Sequence, residues 1–294
     1  MVIWVVTPCF YDIPSFKRVQ GEVKEILGPQ DGSTDLRFVV VDDSAGQDRE
    51  VQTLAAEASL TVITPPYNLG HQGALVFGLR KLGLEVAPDD MIVTMDSDGE
   101  DRPIDLSALL APLMERKDNL HVVSVAKRTK RKESVQFKLM YFFYKIFFWT
   151  LTGKIIRNGN FAAMRGWFLK EVIFHPHFDQ SYSSTFVSLP LQLFAVPIPR
   201  GDRYFGKSKM GLFGLITHGF RMLMPFSEKI AIRVIIFSAL GFSLAFATLA
   251  AGQIQLSFAL VELSVGIFIF GLLLFSTFSQ TKSQALRQLV RLGK

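Results

Sequence analysis

From Val234 to Val261 the chain runs 28 positions without a charge, meets Glu262, and then runs 19 more uncharged positions to Thr281. About 20 apolar residues at 1.5 Å rise cross a hydrocarbon core of roughly 30 Å. A soluble fold would have to bury two such lengths. The pattern predicts one helix over 230–251, a tight turn at Ala251-Gly252-Gln253-Ile254-Gln255, and a second helix over 257–279. Lys229 and Arg233 precede the first helix; Lys282, Arg287, Arg291 and Lys294 follow the second; the turn has no charge. Positive residues stay on the cytoplasmic side, which predicts both hairpin ends, and the basic tail 280–294, in the cytoplasm. Met1 leads directly into a β-like run without a basic n-region, so residues 1–229 are expected there too. Two further stretches, 134–152 and 211–229, mix Phe, Tyr, Trp and aliphatic residues with sparse cations. That composition suits helices lying in the interface plane.

The rest of the chain is two compositions joined together. Of 27 phenylalanines only Phe10, Phe16, Phe38 and Phe77 precede residue 134. Residues 1–126 carry a net charge of −10, whereas residues 127–170 carry +10. The pI near 9.4 is therefore no sign of a nucleic-acid partner, which would want one uniform basic face. An acidic half can hold a divalent cation, and a basic belt can hold phosphates or lipid head groups. A single cysteine, Cys9, excludes a disulfide framework and a Cys-rich metal site.

Within the acidic half, the runs Val2–Val6, Leu36–Val41, Leu60–Thr64 and Met91–Met95 read as short strands, with helix-like stretches at 15–27, 46–58 and 71–84. Strand and helix in alternation predict a parallel α/β sheet. Ligands of such sheets collect beyond the carboxyl ends of the strands. Asp12, Asp42, Asp43, Asp96 and Asp98 all fall there. Asp96-Ser97-Asp98 closes an apolar strand, and two carboxylates so placed can share a hard divalent cation with substrate phosphates. Asn68-Leu69-Gly70-His71-Gln72-Gly73 forms a glycine-rich turn before a helix, where backbone N–H groups can approach an anion or a sugar. His175-Pro176-His177 reads as a structural turn, and neither a nucleophile elbow nor a phosphate-loop lysine is present.

The series Pro8…Asp12, Val41-Asp42-Asp43-Ser44, Asn68-Leu69-Gly70…Ala74…Gly78 and Met95-Asp96-Ser97-Asp98-Gly99-Glu100-Asp101 resembles glycosyltransferase family 2. The Asn-x-Gly-His-Gln turn, the basic 127–131 segment and Arg203…Gly206-x-Ser208-Lys209-Met210 resemble its polyprenyl-phosphate branch, similar to dolichyl-phosphate mannose synthase. The resemblance covers about residues 1–280. It implies a GT-A, Rossmann-like α/β domain over 1–210, a juxtamembrane helix over 211–229 and a membrane hairpin over 230–279. It implies that Pro8, Asp12, Asp42 or Asp43, and Asn68 meet a nucleotide sugar. Asp96, Asp98 and Glu100 would surround Mg²⁺ or Mn²⁺, with Asp98 central to catalysis. Arg203 and Lys209, with Arg128 and Arg131, would neutralise the donor diphosphate and the phosphate of a polyprenyl acceptor. A homo-oligomer is compatible with it.

Three departures qualify the resemblance. Position 100 is Glu where the branch usually has Gln, position 160 is Asn where Gly-Asp-Phe is common, and Tyr182-Ser183-Ser184-Thr185-Phe186 lacks a frequent Glu. Many relatives that act on alcohol acceptors need a carboxylate to take a proton, while a lipid phosphate arrives ionised. The missing acid therefore points to a phosphate acceptor or to lost activity. The competing readings are a membrane polysaccharide synthase, whose Gln-x-x-Arg-Trp signature is absent, and a catalytically silent scaffold.

Overall fold

The structure is a computed structural model that describes residues 1–28, 35–54, 57–129, 135–156, 158–206 and 211–291. The chain divides into two compact units, Met1–Lys132 with Ile156–Ile216, and Glu133–Ile155 with Thr217–Lys294.

The first unit is built on a sheet of β1 (Val2–Cys9), β2 (Asp35–Asp42), β3 (Leu60–Ile63), β4 (Met91–Thr94), β5 (Val122–Arg128), β6 (Asn158–Arg165) and β7 (Gln192–Ile198). Their order is β3-β2-β1-β4-β6-β5-β7. Neighbours are parallel except β6, which runs antiparallel to both β4 and β5. Helices α1 (Ile13–Leu27), α2 (Gly70–Leu82) and α3 (Leu106–Glu115) precede α4 (Val135–Thr152), which belongs to the second unit. Helices α5 (Gly166–Glu171), α6 (Tyr182–Ser188) and α7 (Leu212–Leu223) follow. Side chains alternate across each strand. Ile3, Val5, Phe38 and Val40 pack toward α1 and α3, while Trp4, Val6, Val39 and Val41 pack toward α2, α5 and α6. Gly78 lets α2 lie close on the sheet, since a Cβ there would come within 2.3 Å of Val41 Cγ2.

Strands β1 to β4 lie where the apolar runs predict them, because a parallel strand buried on both faces is apolar throughout. The expected helix over 46–58 is reduced to a 3₁₀ turn at Arg49–Leu54. Side chains compete for its backbone: Asp48 N donates to Ser44 Oγ at 2.8 Å and Glu50 N to Asp48 Oδ1 at 3.0 Å.

In the second unit α8 (Ser227–Ala250) and α9 (Ile254–Arg291) form the hairpin; the basic stretch expected as a tail continues α9 to Arg291. The spans Gly214–Ala250 and Ile254–Ser276 have mean hydropathy 2.2 and 2.5 and are long and apolar enough to cross a membrane. Several small and hydroxyl side chains are turned inward. Ser238, Ala245, Ser257 and Ser264 are buried, whereas Phe237, Leu240, Phe246, Phe258, Leu263 and Leu272 are exposed. Ser257 Oγ donates to Ala245 O across the seam at 2.8 Å, and a Cβ at Gly241 would lie 2.2 Å from Ser264 Oγ. Small residues and interhelical hydrogen bonds at the contact are how helices associate in lipid. Helix α4 joins this unit through Phe148, edge-to-face on Phe226 at 5.6 Å, and Tyr144, whose O–H donates to Gly219 O at 3.1 Å. Arg233 donates to Thr150 O at 2.9 Å and so closes the C-terminus of α4. The opposite side of α4 exposes Phe142, Phe143, Ile146, Phe147 and Trp149.

Candidate active site at the carboxyl edge of the sheet

Strands β2, β1 and β4 end side by side, at Asp42, Cys9 and Thr94. Within β1, Pro8 pairs with Val41 in the ladder, and beyond the strand Asp12 reaches across to the β4 end, where Ser97 Oγ donates to its Oδ2 at 3.5 Å. Asp12 Oδ1 accepts from Ser15 Oγ at 2.6 Å. Burial pushes the Cys9 thiol up to about 12, so it is no nucleophile. Beyond β2 the two aspartates part in role. Asp42 folds its own turn, with Oδ1 accepting from Ser44 N and Oγ at 3.0 and 2.6 Å and Oδ2 from Gly46 N at 3.1 Å. Asp43 reaches the next element: its Oδ1 accepts from Leu69 N at 2.7 Å, and Asn68 Nδ2 donates to its carbonyl at 3.0 Å. The start of α2 is thereby pinned to the end of β2. Burial raises the Asp43 carboxyl above its ordinary value.

The loop after β4 carries four carboxylates, and each faces a different basic side chain. Asp96 Oδ1 lies 2.9 Å from His71 Nε2, Asp98 Oδ2 lies 2.5 Å from Arg203 Nη2, Glu100 pairs with Arg200, and Asp101 Oδ1 lies 3.8 Å from Arg128 Nη2. Asp101 also accepts from Asp96 N at 3.0 Å, which fixes the backbone at the strand end. Burial opposes ionisation of Asp96, but His71, Arg128 and Arg200 outweigh it and hold this carboxyl well below the usual range. Loss of water disfavours charge on His71, and Asp96 outweighs that in turn, raising the imidazole. Burial reinforced by the Asp96 charge pushes Asp98 up to about 6 despite Arg203, and Asp101 up to about 7 despite Arg128.

The segment after β7 is buckled onto this loop. Gly201 N donates to Glu100 O and Tyr204 N to Asp98 O, each at 2.8 Å. The Tyr204 ring lies on Gly99, whose φ is +87° and whose missing Cβ would come 2.6 Å from the ring. Arg18 stacks over the other part of that ring at 4.0 Å, and the Tyr204 hydroxyl donates to Glu22 Oε2 at 2.6 Å. Only glycine accepts that φ without strain.

Of the residues the sequence singles out, Pro8, Asp12, Asp43, Asn68, Asp96, Asp98, Glu100, Arg128 and Arg203 converge on this edge; Asp42 is spent on its own turn. Lys209 and Arg131 lie outside the described residues. Among the described residues no three His, Cys, Asp or Glu groups are arranged as a metal cage. Sequence reasoning gave no role to His71, Gln72, Asp101, Arg200 or Tyr204. The available signal was the extra charge of Glu100, which demands a cation such as Arg200.

Two solved structures share this architecture. Glucosyl-3-phosphoglycerate synthase from Mycobacterium tuberculosis, solved with Mn²⁺, uridine diphosphate and phosphoglyceric acid, matches with TM-score 0.51 at 16% identity, over 78% of each chain. Mannosyl-3-phosphoglycerate synthase from Rubrobacter xylanophilus matches with TM-score 0.51 at 13% identity, over 78% of this chain and 74% of that one. At these identities the likeness shows the fold, the mixed α/β sheet of GT-A transferases. No curated protein matches in sequence. Residues 4–173, more than half of the chain, match the sequence profile described as glycosyl transferase family 2, and the chain belongs to that family.

Proposed function

We propose that the chain moves a hexose from a UDP- or GDP-sugar to a polyprenyl phosphate at the cytoplasmic face of a membrane, with inversion at the anomeric carbon. The observation that supports this is that, among the described residues, every carboxylate of the β4 loop already faces a basic side chain. The four carboxylates of the β4 loop face His71, Arg203, Arg200 and Arg128, and Asn160 and residues 182–186 offer amide and hydroxyl groups only. A hydroxyl nucleophile needs a group to take its proton; a phosphate monoester does not. The apolar hairpin on the same chain supports a lipid-borne acceptor.

In this reading the nucleoside lies over Pro8, Asp12, Asp43 and Asn68, and the diphosphate lies by Asp96 and Asp98. Their oxygen-only donor set fits Mg²⁺ or Mn²⁺, with Glu100 held back on Arg200. A bound cation would neutralise the leaving diphosphate. An acceptor phosphate oxygen forms a bond to the anomeric carbon as the bond from that carbon to the diphosphate oxygen breaks. The electron pair leaves with the nucleoside diphosphate, no proton moves, and Arg203, Arg200 and Lys209 meet the charge that develops.

Nucleoside diphosphate release from a panel of UDP- and GDP-hexoses tests this, with polyprenyl phosphate, polyprenol or no acceptor. Release should require the phosphate, stop in excess chelator and return with Mg²⁺ or Mn²⁺. Equal release with polyprenol overturns the acceptor, a growing sugar polymer indicates a polysaccharide synthase, and no release with any donor leaves a silent scaffold. Full activity in chelator removes the metal.

A further inference from the structure

The amide at position 160 is oriented by its neighbours. Tyr182 N–H can only donate, and Gln72 Oε1 accepts it at 3.2 Å. The Gln72 amide is thereby fixed, and its Nε2, which also can only donate, lies 3.3 Å from Asn160 Oδ1. Asn160 must answer with its oxygen. Its Nδ2 is left over as a donor, and among the described residues no protein acceptor meets it.

Asn160 lies at the same end of the sheet as Asp96. The antiparallel ladder ends on the pair Thr94 of β4 and Ala162 of β6; Asp96 follows Thr94 by two residues and Asn160 precedes Ala162 by two. Thr94 Oγ1 donates to Asn160 O at 2.6 Å and holds the backbone there. Consecutive residues of α2 secure the two positions, His71 on Asp96 and Gln72 on Asn160.

We infer that Asn160 is the hydrogen-bond donor that receives the attacking oxyanion of the acceptor and sets the preference for an acceptor that arrives ionised. The inference rests on the proposed transfer to a phosphate. A phosphate oxygen carries lone pairs and no proton, so it is matched by an N–H. A carboxylate of the same shape at 160 would oppose it with like charge and would suit a hydroxyl acceptor instead. A sugar hydroxyl is the poorer fit, because it must donate as well as accept, and Asn160 Oδ1 is already taken by Gln72.

Asn160→Asp keeps the shape and still accepts from Gln72, so the fold is preserved. With farnesyl phosphate as acceptor, this change should raise the acceptor KM at least about tenfold, equivalent to about 1.4 kcal/mol. The affinity for nucleoside diphosphate should stay within about twofold. Gln72→Glu supplies the orientation test. It keeps an oxygen toward Tyr182 N but puts a second oxygen toward Asn160, which must turn its Nδ2 inward to meet it. Acceptor KM should rise again, although Asn160 itself is intact. Higher turnover of farnesol by Asn160→Asp would strengthen the inference. An acceptor KM unchanged in Asn160→Asp overturns it, as does a rise confined to the sugar-donor KM, which would place the amide on the sugar. Wild-type transfer to farnesol and not to farnesyl phosphate would overturn the proposed function together with this inference. Phosphate-dependent transfer indifferent to position 160 sinks the inference alone.

Discussion

Arg203 lies 2.5 Å from Asp98 Oδ2, within reach of any diphosphate brought to that carboxylate. A change that preserves its charge separates the two roles such a cation can play. Lysine keeps the field but loses the planar, two-pronged donor of arginine. If Arg203 grips phosphate oxygens as the bond breaks, Arg203→Lys lowers kcat about tenfold or more, at least about 1.4 kcal/mol. If it serves only as a counter-charge, kcat at saturation is unchanged, and that outcome removes it from the reacting centre. The aspartates of this site were legible because strand ends are legible: an apolar run that stops at Asp-x-Asp announces both the strand and its edge. Their partners were not. His71 is 25 residues from Asp96, and Arg200 is 100 residues from Glu100, so no local spacing encodes either pair. Asp42 and Asp43 are adjacent and chemically identical, and only the three hydrogen bonds that close the 42–46 turn distinguish the structural aspartate from the one facing α2.

Arg200 and Arg203 follow β7, an edge strand, and a short segment after a sheet edge is ordinarily mobile. Here the Tyr204 ring on Gly99 holds it against the β4 loop, and the Arg18 stack and the Glu22 hydrogen bond hold it against α1. The ring supplies the contact area, and the hydroxyl adds one exchangeable bond. Tyr204→Phe should therefore bind nucleoside diphosphate nearly as the wild type does. Tyr204→Ala should lose about tenfold or more in titration calorimetry, because both arginines are set loose together. Wild-type affinity in the alanine variant would mean the segment is positioned by its two backbone bonds alone. Element-level reading of the sequence succeeded for β1 to β4 and for α4, α8 and α9, whose apolar runs are long or strictly placed. It stopped short of β5, β6 and β7. There β5 runs into the basic belt at Lys127 and Arg128, and β7 carries Pro197 inside its apolar run, a residue that argues against a central strand. The antiparallel β6 between β4 and β5 is a matter of topology that no periodicity reveals.

At the scale of the whole chain, two physically different forces offer to hold the protein to a membrane. Residues 127–170 carry +10, and a basic belt attracts anionic head groups with about 1 kcal/mol per cation near the surface. That attraction decays over a Debye length, about 10 Å at 0.1 M salt and about 3 Å at 1 M. The hairpin contributes contact of another kind. Ser238, Ser257 and Ser264 are buried, while many of its phenylalanines and leucines face outward. Apolar contact of that extent is indifferent to salt and does not depend on lipid charge. The two forces therefore give opposite results in one measurement. Full-length protein reconstituted with neutral phosphatidylcholine vesicles should float with them in 1 M salt and after an alkaline wash, just as it does with anionic vesicles in low salt. Failure to float with neutral vesicles, together with release from anionic ones by salt, would show that the belt alone holds the chain and that the helices pack elsewhere. The same preparation reads the consequence for activity. If the hairpin spans the bilayer, a long-chain polyprenyl phosphate is delivered by diffusion in two dimensions. Diluting the vesicles at a fixed mole fraction of that lipid should leave turnover unchanged, whereas turnover of a short, water-soluble polyprenyl phosphate should fall with its bulk concentration. Equal dependence on dilution for both acceptors would separate the membrane helices from acceptor supply.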